Sequence, residues 1–190
     1  PKAGQTLSAC KVGVISADGG ETVWMKLQGD PRNNYVPRME WAASSEEIIM
    51  QYMNRDQNAN QLLYGNALTG DLTTILTETD TAWLDVVDDL KWLDNGKSFT
   101  WISERSGWKQ MYNVARDGKT IKPITTGNFD IIEIKLIDDM KGYVYYIASP
   151  DNATQRYLWR TKIDGKGKPE RLTPVKYNGT NTYELSPNAA

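Results

Sequence analysis

The sequence predicts an all-β fold, a partial β-propeller of about three and a half four-stranded antiparallel blades. Two observations carry this. A stretch of about 48 residues recurs three times, and every copy has the same internal order. Tyr64, Tyr112 and Trp159 occupy matching places, followed by Gly70, Gly118 and Gly165, then by Leu76, Ile124 and Leu172. Each copy is an aromatic-rich apolar strand, a Gly turn, and a short strand ending Ile/Leu-Thr. Several strands per copy at this period indicate one sheet per blade.

The elements follow in order. Val12-Gly13-Val14-Ile15 reads as a strand, Asp18-Gly19-Gly20 as a hairpin turn, and Thr22-Val23-Trp24-Met25-Lys26-Leu27 as the returning strand. This pair is the second half of a blade, residues 1–34. The next blade spans 35–86. Its strands are Met39-Glu40-Trp41, residues 47–54, 61–66 and 72–76, with a turn at Ala43-Ser44-Ser45-Glu46. A blade over 87–130 follows, with strands at 90–93, 98–103, 110–115 and 121–124. Its turns, Asp94-Asn95-Gly96-Lys97 and Asp117-Gly118, use residues that tolerate positive φ. The last full blade spans 131–180, with strands at 133–137, 143–148, 156–162 and 170–172. Tyr183-Glu184-Leu185-Ser186-Pro187-Asn188 opens a further copy within 181–190. So few blades do not close a ring, because propellers typically use about four to eight. The chain is therefore expected to be a fragment whose open edges favour self-association.

Composition narrows the function. The 190 residues carry 22 Lys+Arg and 24 Asp+Glu, a net charge of −2, and no two basic residues are adjacent. That balance argues against nucleic acid or an anionic membrane as partner. No apolar run approaches the roughly 18 residues of a membrane span, and the start lacks a signal-peptide pattern. Cys10 is the sole cysteine, so no intrachain disulfide is expected. Histidine is absent, which removes Ser-His-Asp, Cys-His and His-rich zinc sites. There is no G-x-S-x-G elbow, phosphate-binding loop or dinucleotide fingerprint. No cofactor and no metal are implied. Seven Trp and ten Tyr stand against two Phe; such side chains suit sheets with one polar edge, and they also make platforms for peptides or sugars.

Six segments invite a chemical reading. Glu46-Glu47 is a carboxylate pair, but at a solvated hairpin tip rather than in the shared low-dielectric pocket that acid/base work needs. Asp85, Asp88 and Asp89 lie near Trp83 on the crossing between two blades. That crossing is a calcium candidate without a regular ligand spacing, a ligand-facing rim, or a solvated connection. Glu104, Arg105 and Trp108, in Ser103-Glu104-Arg105-Ser106-Gly107-Trp108, form either a substrate grip or a tight hairpin. Asn54-Arg55-Asp56-Gln57-Asn58 is the equivalent polar hairpin one blade earlier. Asn152-Ala153-Thr154 and Asn178-Gly179-Thr180 match the glycosylation pattern.

These segments also carry a family resemblance. Pro1-Lys2-Ala3-Gly4 with Lys11-Val12-Gly13-Val14, Tyr35-Val36-Pro37-Arg38-Met39-Glu40-Trp41 and Asn54-Arg55-Asp56-Gln57-Asn58 resemble the N-terminal propeller of the dipeptidyl peptidase IV family. So do the run from Trp101 to Trp108, Thr125-Thr126-Gly127-Asn128-Phe129-Asp130, and Arg171-Leu172-Thr173-Pro174. The resemblance implies an eight-bladed propeller over a C-terminal α/β-hydrolase domain. That domain holds the catalytic Ser, Asp and His and releases N-terminal dipeptides, preferably after Pro or Ala. The family's paired glutamates and arginine that grip the substrate lie upstream of the Pro-Lys-Ala-Gly segment and are not in this chain; Glu46-Glu47 is not that motif. The stretch 83–89 resembles one that lines extended substrate subsites, making Trp83, Asp85, Val86 and Val87 the candidate substrate-facing residues. It departs there from the aromatic and basic residues of some members. The expected role is non-catalytic: gating and helping to bind peptides for the hydrolase domain, in a periplasmic or extracellular setting. The alternative is a stand-alone propeller that binds peptides or glycans.

Overall fold

The computed structural model describes residues 3–186; Pro1, Lys2, Pro187 and Asn188, which the sequence places in the opening loop and the closing copy, lie outside them. The described residues hold no α-helix. They form four antiparallel sheets, so the fold is all-β and is a partial propeller. The chain divides into two compact units, Pro1–Asp88 and Asp89–Ala190.

The first unit contains β1 (Gly13–Val14), β2 (Val23–Trp24), β3 (Asn34–Tyr35), β4 (Met39–Trp41), β5 (Glu47–Asn54), β6 (Ala59–Asn66) and β7 (Leu72–Thr79). β1 and β2 pair alone. The second sheet has the order β3-β5-β6-β7, with β4 also pairing β5. β3 and β4 together serve as one broken edge strand, interrupted at Val36-Pro37-Arg38, where proline cannot donate to a ladder. β5 is buried along almost its whole length instead of alternating, as expected of a strand covered on both faces. Ile48, Met50 and Tyr52 on one of its faces join Val12, Met25 and Leu63 in a core that also takes in Val14 and Val23 of the β1–β2 sheet. Adjacent sheets in this unit are thus glued by an apolar seam.

The second unit contains β8 (Trp92–Leu93), a single 3-10 turn (Asp94–Gly96), β9 (Ser98–Ser103), β10 (Gln110–Ala115) and β11 (Ile121–Pro123). Then come β12 (Ile131–Asp138), β13 (Tyr143–Ala148), β14 (Tyr157–Lys162) and β15 (Glu170–Arg171). Both sheets are meanders in chain order, β8-β9-β10-β11 and β12-β13-β14-β15. The turn residues behave as their types require: Asp94, Asn95, Gly96 and Gly118 all have positive φ. Residues 183–186 form no strand; Tyr183 and Leu185 instead pack on the cluster of Tyr145, Ile147 and Leu158.

Two repeat positions acquire a physical reason. Gly70 (φ 75°) and Gly165 (φ 70°) are left-handed turn residues, and a Cβ on either would also lie 2.2 Å from the Trp24 carbonyl oxygen or 2.4 Å from that of Pro123. At Gly70 and at Gly165, then, one sheet touches the backbone of the sheet before it. The closing threonine works differently. Thr125 Oγ1 accepts the Met111 N–H at 2.9 Å, and Thr173 Oγ1 accepts the Leu158 N–H at 2.8 Å. The carbonyls of Met111 and Leu158 accept in return from residues 124–125 and 172–173. The hydroxyl replaces a ladder partner where the outer strand ends, and both threonines are buried. In the first copy β7 runs on past Leu76, Thr77 pairs in register with Gln61, and its side chain is exposed.

Candidate functional site

The crossing that leaves β7 is shaped by short polar side chains. Asp80 Oδ1 accepts the N–H groups of Ala82 (2.7 Å) and Trp83 (3.3 Å), an Asx turn that ends the strand. The Leu84 N–H then donates to the Gln57 carbonyl at 2.8 Å, tying the crossing to the 54–58 hairpin. Trp83 projects outward with 54% of its surface exposed, and its indole N–H donates to Asp85 Oδ1 at 3.1 Å. Val86 is half-buried, and Val87 is buried. Arg38 closes the segment by an ion pair to Asp88, while its guanidinium also donates to the Pro37 carbonyl at 2.7 Å.

Gln51 anchors this crossing. Its Nε2 donates to the Val87 carbonyl at 2.6 Å, and its Oε1 accepts the Val87 N–H at 3.1 Å. Oε1 also accepts Asn60 Nδ2 at 3.0 Å. A side-chain amide thereby does for Val87 what a neighbouring strand does elsewhere, and Gln51 itself is 2% exposed. The result is a fixed backbone at Val87 with an exposed indole and carboxylate at Trp83 and Asp85.

The other segments singled out in the sequence sit elsewhere. Glu46 is exposed, and Ser44 Oγ accepts the N–H groups of Glu46 (3.3 Å) and Glu47 (3.2 Å) in the turn before β5. Glu104 and Arg105 belong to a tight hairpin: Gly107 N–H donates to Glu104 O at 2.7 Å, Ser103 Oγ accepts from Arg105, and the Arg105 guanidinium stacks 5.2 Å from the Tyr112 ring centre. Trp108 is 39% exposed beside it. Among the described residues no three His, Cys, Asp or Glu side chains gather in a metal-ligating group. Asn152 is exposed, with its side-chain oxygen accepting from Thr154. Sequence reasoning missed Gln51 and Arg38; the available signal was one glutamine inside the apolar run of β5.

The exposed groups on the crossing include the Trp83 indole and the Asp85 carboxylate, groups of the kinds that stack and accept hydrogen bonds. Among the described residues no helix is long and apolar enough to cross a membrane.

Residues 1–190 match the family described as the dipeptidyl peptidase IV (DPP IV) N-terminal region. The protein named "Probable dipeptidyl peptidase 4" of Emericella nidulans is 23% identical over 172 residues, covering 84% of this chain and 22% of that protein. The "Inactive dipeptidyl peptidase 10" of Mus musculus is 21% identical over 178 residues, covering 87% of this chain and 22% of that protein. The crystal structure of Porphyromonas gingivalis dipeptidyl peptidase 4 superposes with a TM-score of 0.85 at 24% identity, over 100% of this chain and 26% of that one. The chain thus spans about a fifth to a quarter of the length of the relatives it matches.

Proposed function

We propose, since this chain belongs to the dipeptidyl peptidase IV N-terminal region family, that it is the non-catalytic propeller part of a serine dipeptidyl peptidase. The parent's α/β-hydrolase domain would carry the nucleophile and release N-terminal dipeptides, in the periplasm or outside the cell. The family match along all 190 residues is the observation that carries this reading. We divide the chain into a half blade (1–34), three blades (35–86, 87–130, 131–180) and the start of another (181–190), with open edges available for self-association.

In this reading the chain gates and helps to hold peptides. Trp83 supplies a flat apolar surface, Asp85 orients the indole and presents its free oxygen, and Val86 adds apolar contact. Val87 acts through its clamped backbone. Two measurements test it. The purified chain should not hydrolyse a Gly-Pro chromogenic substrate, and measurable turnover overturns the proposal. Short Pro-containing peptides should quench tryptophan emission in the chain and lose that quench in Trp83→Phe; an unchanged quench removes Trp83 from the site.

A second reading, a binding module in a protein without peptidase activity, draws on the similarity to a relative named as inactive and on the exposed rings of Trp24, Trp41 and Trp83. A downstream G-x-S-x-G with later Asp and His in the parent reading frame separates the two.

A further inference from the structure

Beside the 54–58 hairpin lies a cleft of about 540 Å³ in the first unit, within the roughly 300–1,000 Å³ range of ligand sites. Leu7, Tyr35, Val36 and Pro37 line it with apolar groups beside the break in the edge strand, and Arg32 and Arg55 stand among the lining residues. We propose that this cleft is a subsite for the downstream part of an extended peptide, binding an apolar side chain together with a carboxylate that pairs with Arg55. This rests on the reading that peptides reach this chain.

Charge directs the choice of ligand. The Arg32 guanidinium is already held by both oxygens of Asp30, at 3.0 Å each, and that bond raises its pKa further. Arg38 is taken by Asp88. The Arg55 guanidinium has no ion pair or hydrogen bond among the described residues. A free planar cation over an apolar floor selects a carboxylate, which it grips with two parallel hydrogen bonds. An amine finds no carboxylate among the lining residues to balance its charge.

The walls are already in place. Asn33 N–H donates to Asp30 O at 2.9 Å, and Asn34 Nδ2 donates to the same carbonyl at 3.1 Å. Asn54 Oδ1 accepts the N–H groups of Asn58 (3.1 Å) and Ala59 (3.0 Å), which fixes the hairpin. The Arg55 N–H donates to Asn33 O at 2.9 Å and joins the two walls. Met53 is fully buried behind them. A cleft formed before binding loses little entropy when filled. The hairpin also joins the two surfaces, because Gln57 lines the cleft and its carbonyl receives Leu84.

The test is direct binding to the 190-residue chain, read by the methyl resonance of isotopically labelled Met53 and by Trp83 emission. Three blocked peptides serve as probes: Ac-Gly-Leu-Glu-Leu-NH2, Ac-Gly-Leu-Gln-Leu-OH and Ac-Gly-Leu-Gln-Leu-NH2. A carboxylate-bearing peptide should shift Met53, the uncharged one should not, and the two charged probes tell a side-chain carboxylate from a C-terminal one. Arg55→Ala should weaken binding about tenfold or more, with Arg55→Lys retaining part of it. Arg55 sits on an exposed hairpin, so both variants should keep the parent fold, checked by circular dichroism. Equal binding of all three peptides, or Arg55→Ala binding as tightly as the parent, overturns the subsite. Peptides that change Trp83 emission without moving Met53 also overturn it while leaving the function above intact; no response at either probe overturns the subsite, and the function above then stands or falls on its own Pro-containing peptides.

Discussion

Gln51 and Val87 form a closed two-bond ring: amide N–H to carbonyl at 2.6 Å, backbone N–H to amide oxygen at 3.1 Å. They are 36 residues apart, and their pairing makes a crossing without strand structure as well satisfied as a ladder. Gln51→Leu keeps the volume and deletes the partners. It leaves the Val87 N–H and carbonyl and the Asn60 amide without their bonds, at about 1–3 kcal/mol for each buried group left unmade. The expected loss is on the order of 3 kcal/mol in a urea titration, with Trp83 emission changing before the global transition. A loss below about 1 kcal/mol shows that the clamp is not what holds the crossing.

The repeat threonines give a prediction with an internal control. Thr125→Val and Thr173→Val remove the hydroxyls that accept the Met111 and Leu158 N–H groups while preserving side-chain shape. Each should cost about 1–2 kcal/mol, the range for a buried donor left unpaired. Thr77→Val, at the matching place in the first copy but exposed and within a continuing strand, should stay within about 0.5 kcal/mol. Equal costs at all three positions point to a generic effect of the substitution.

Glycine separates turn strain from sheet contact. Gly142 (φ 71°) has nothing within 4 Å of a built Cβ, whereas at Gly165 (φ 70°) the Pro123 carbonyl oxygen lies at 2.4 Å. Gly142→Ala should cost only the left-handed penalty, about 1–2 kcal/mol. Gly165→Ala adds a clash with backbone that has to move, and should cost clearly more, on the order of 3 kcal/mol or beyond. Thermal midpoints of the two variants, measured side by side, check the difference.

Much of the architecture was legible in the sequence because a propeller repeats its constraints. Gly70, Gly118 and Gly165 all take the positive φ that the turn needs, Gly70 and Gly165 also meet the preceding sheet, and Thr125 and Thr173 end their outer strands alike. What recurs weakly was hard to see. The broken edge strand of β3 and β4 depends on one proline, and β8 shrinks from the expected 90–93 to Trp92–Leu93. The candidate site was only partly visible for a related reason. Trp83 and Asp85 stand out as exposed chemistry, but the clamp at Gln51, the latch at Arg38 and the cleft at Arg55 come from residues distant in sequence. No local pattern marks such long-range pairing, and a glutamine in an apolar strand is its faint trace.

Tyr146 links burial to alkaline stability. Its side chain is fully buried on β13, its hydroxyl has no hydrogen-bond partner among the described residues, and burial pushes its pKa up to about 12. The sign follows from proton linkage. The folded state binds this proton more tightly than the unfolded chain, whose tyrosine titrates near 10. The protonated phenol therefore supports the fold fully below about pH 10, and that support disappears as pH rises toward 12. Tyr146→Phe removes both the titration and the unsatisfied hydroxyl. At neutral pH the variant should match or exceed the parent stability by up to about 1 kcal/mol. Between about pH 10 and 12 the parent should fall relative to the variant by roughly 1.4 kcal/mol per pH unit, with lysine titration common to both and cancelling in the difference. A stability difference that stays flat through this window shows that the phenol does not titrate in the buried state, and a variant weaker by more than about 1 kcal/mol at pH 7 shows that the hydroxyl has a partner.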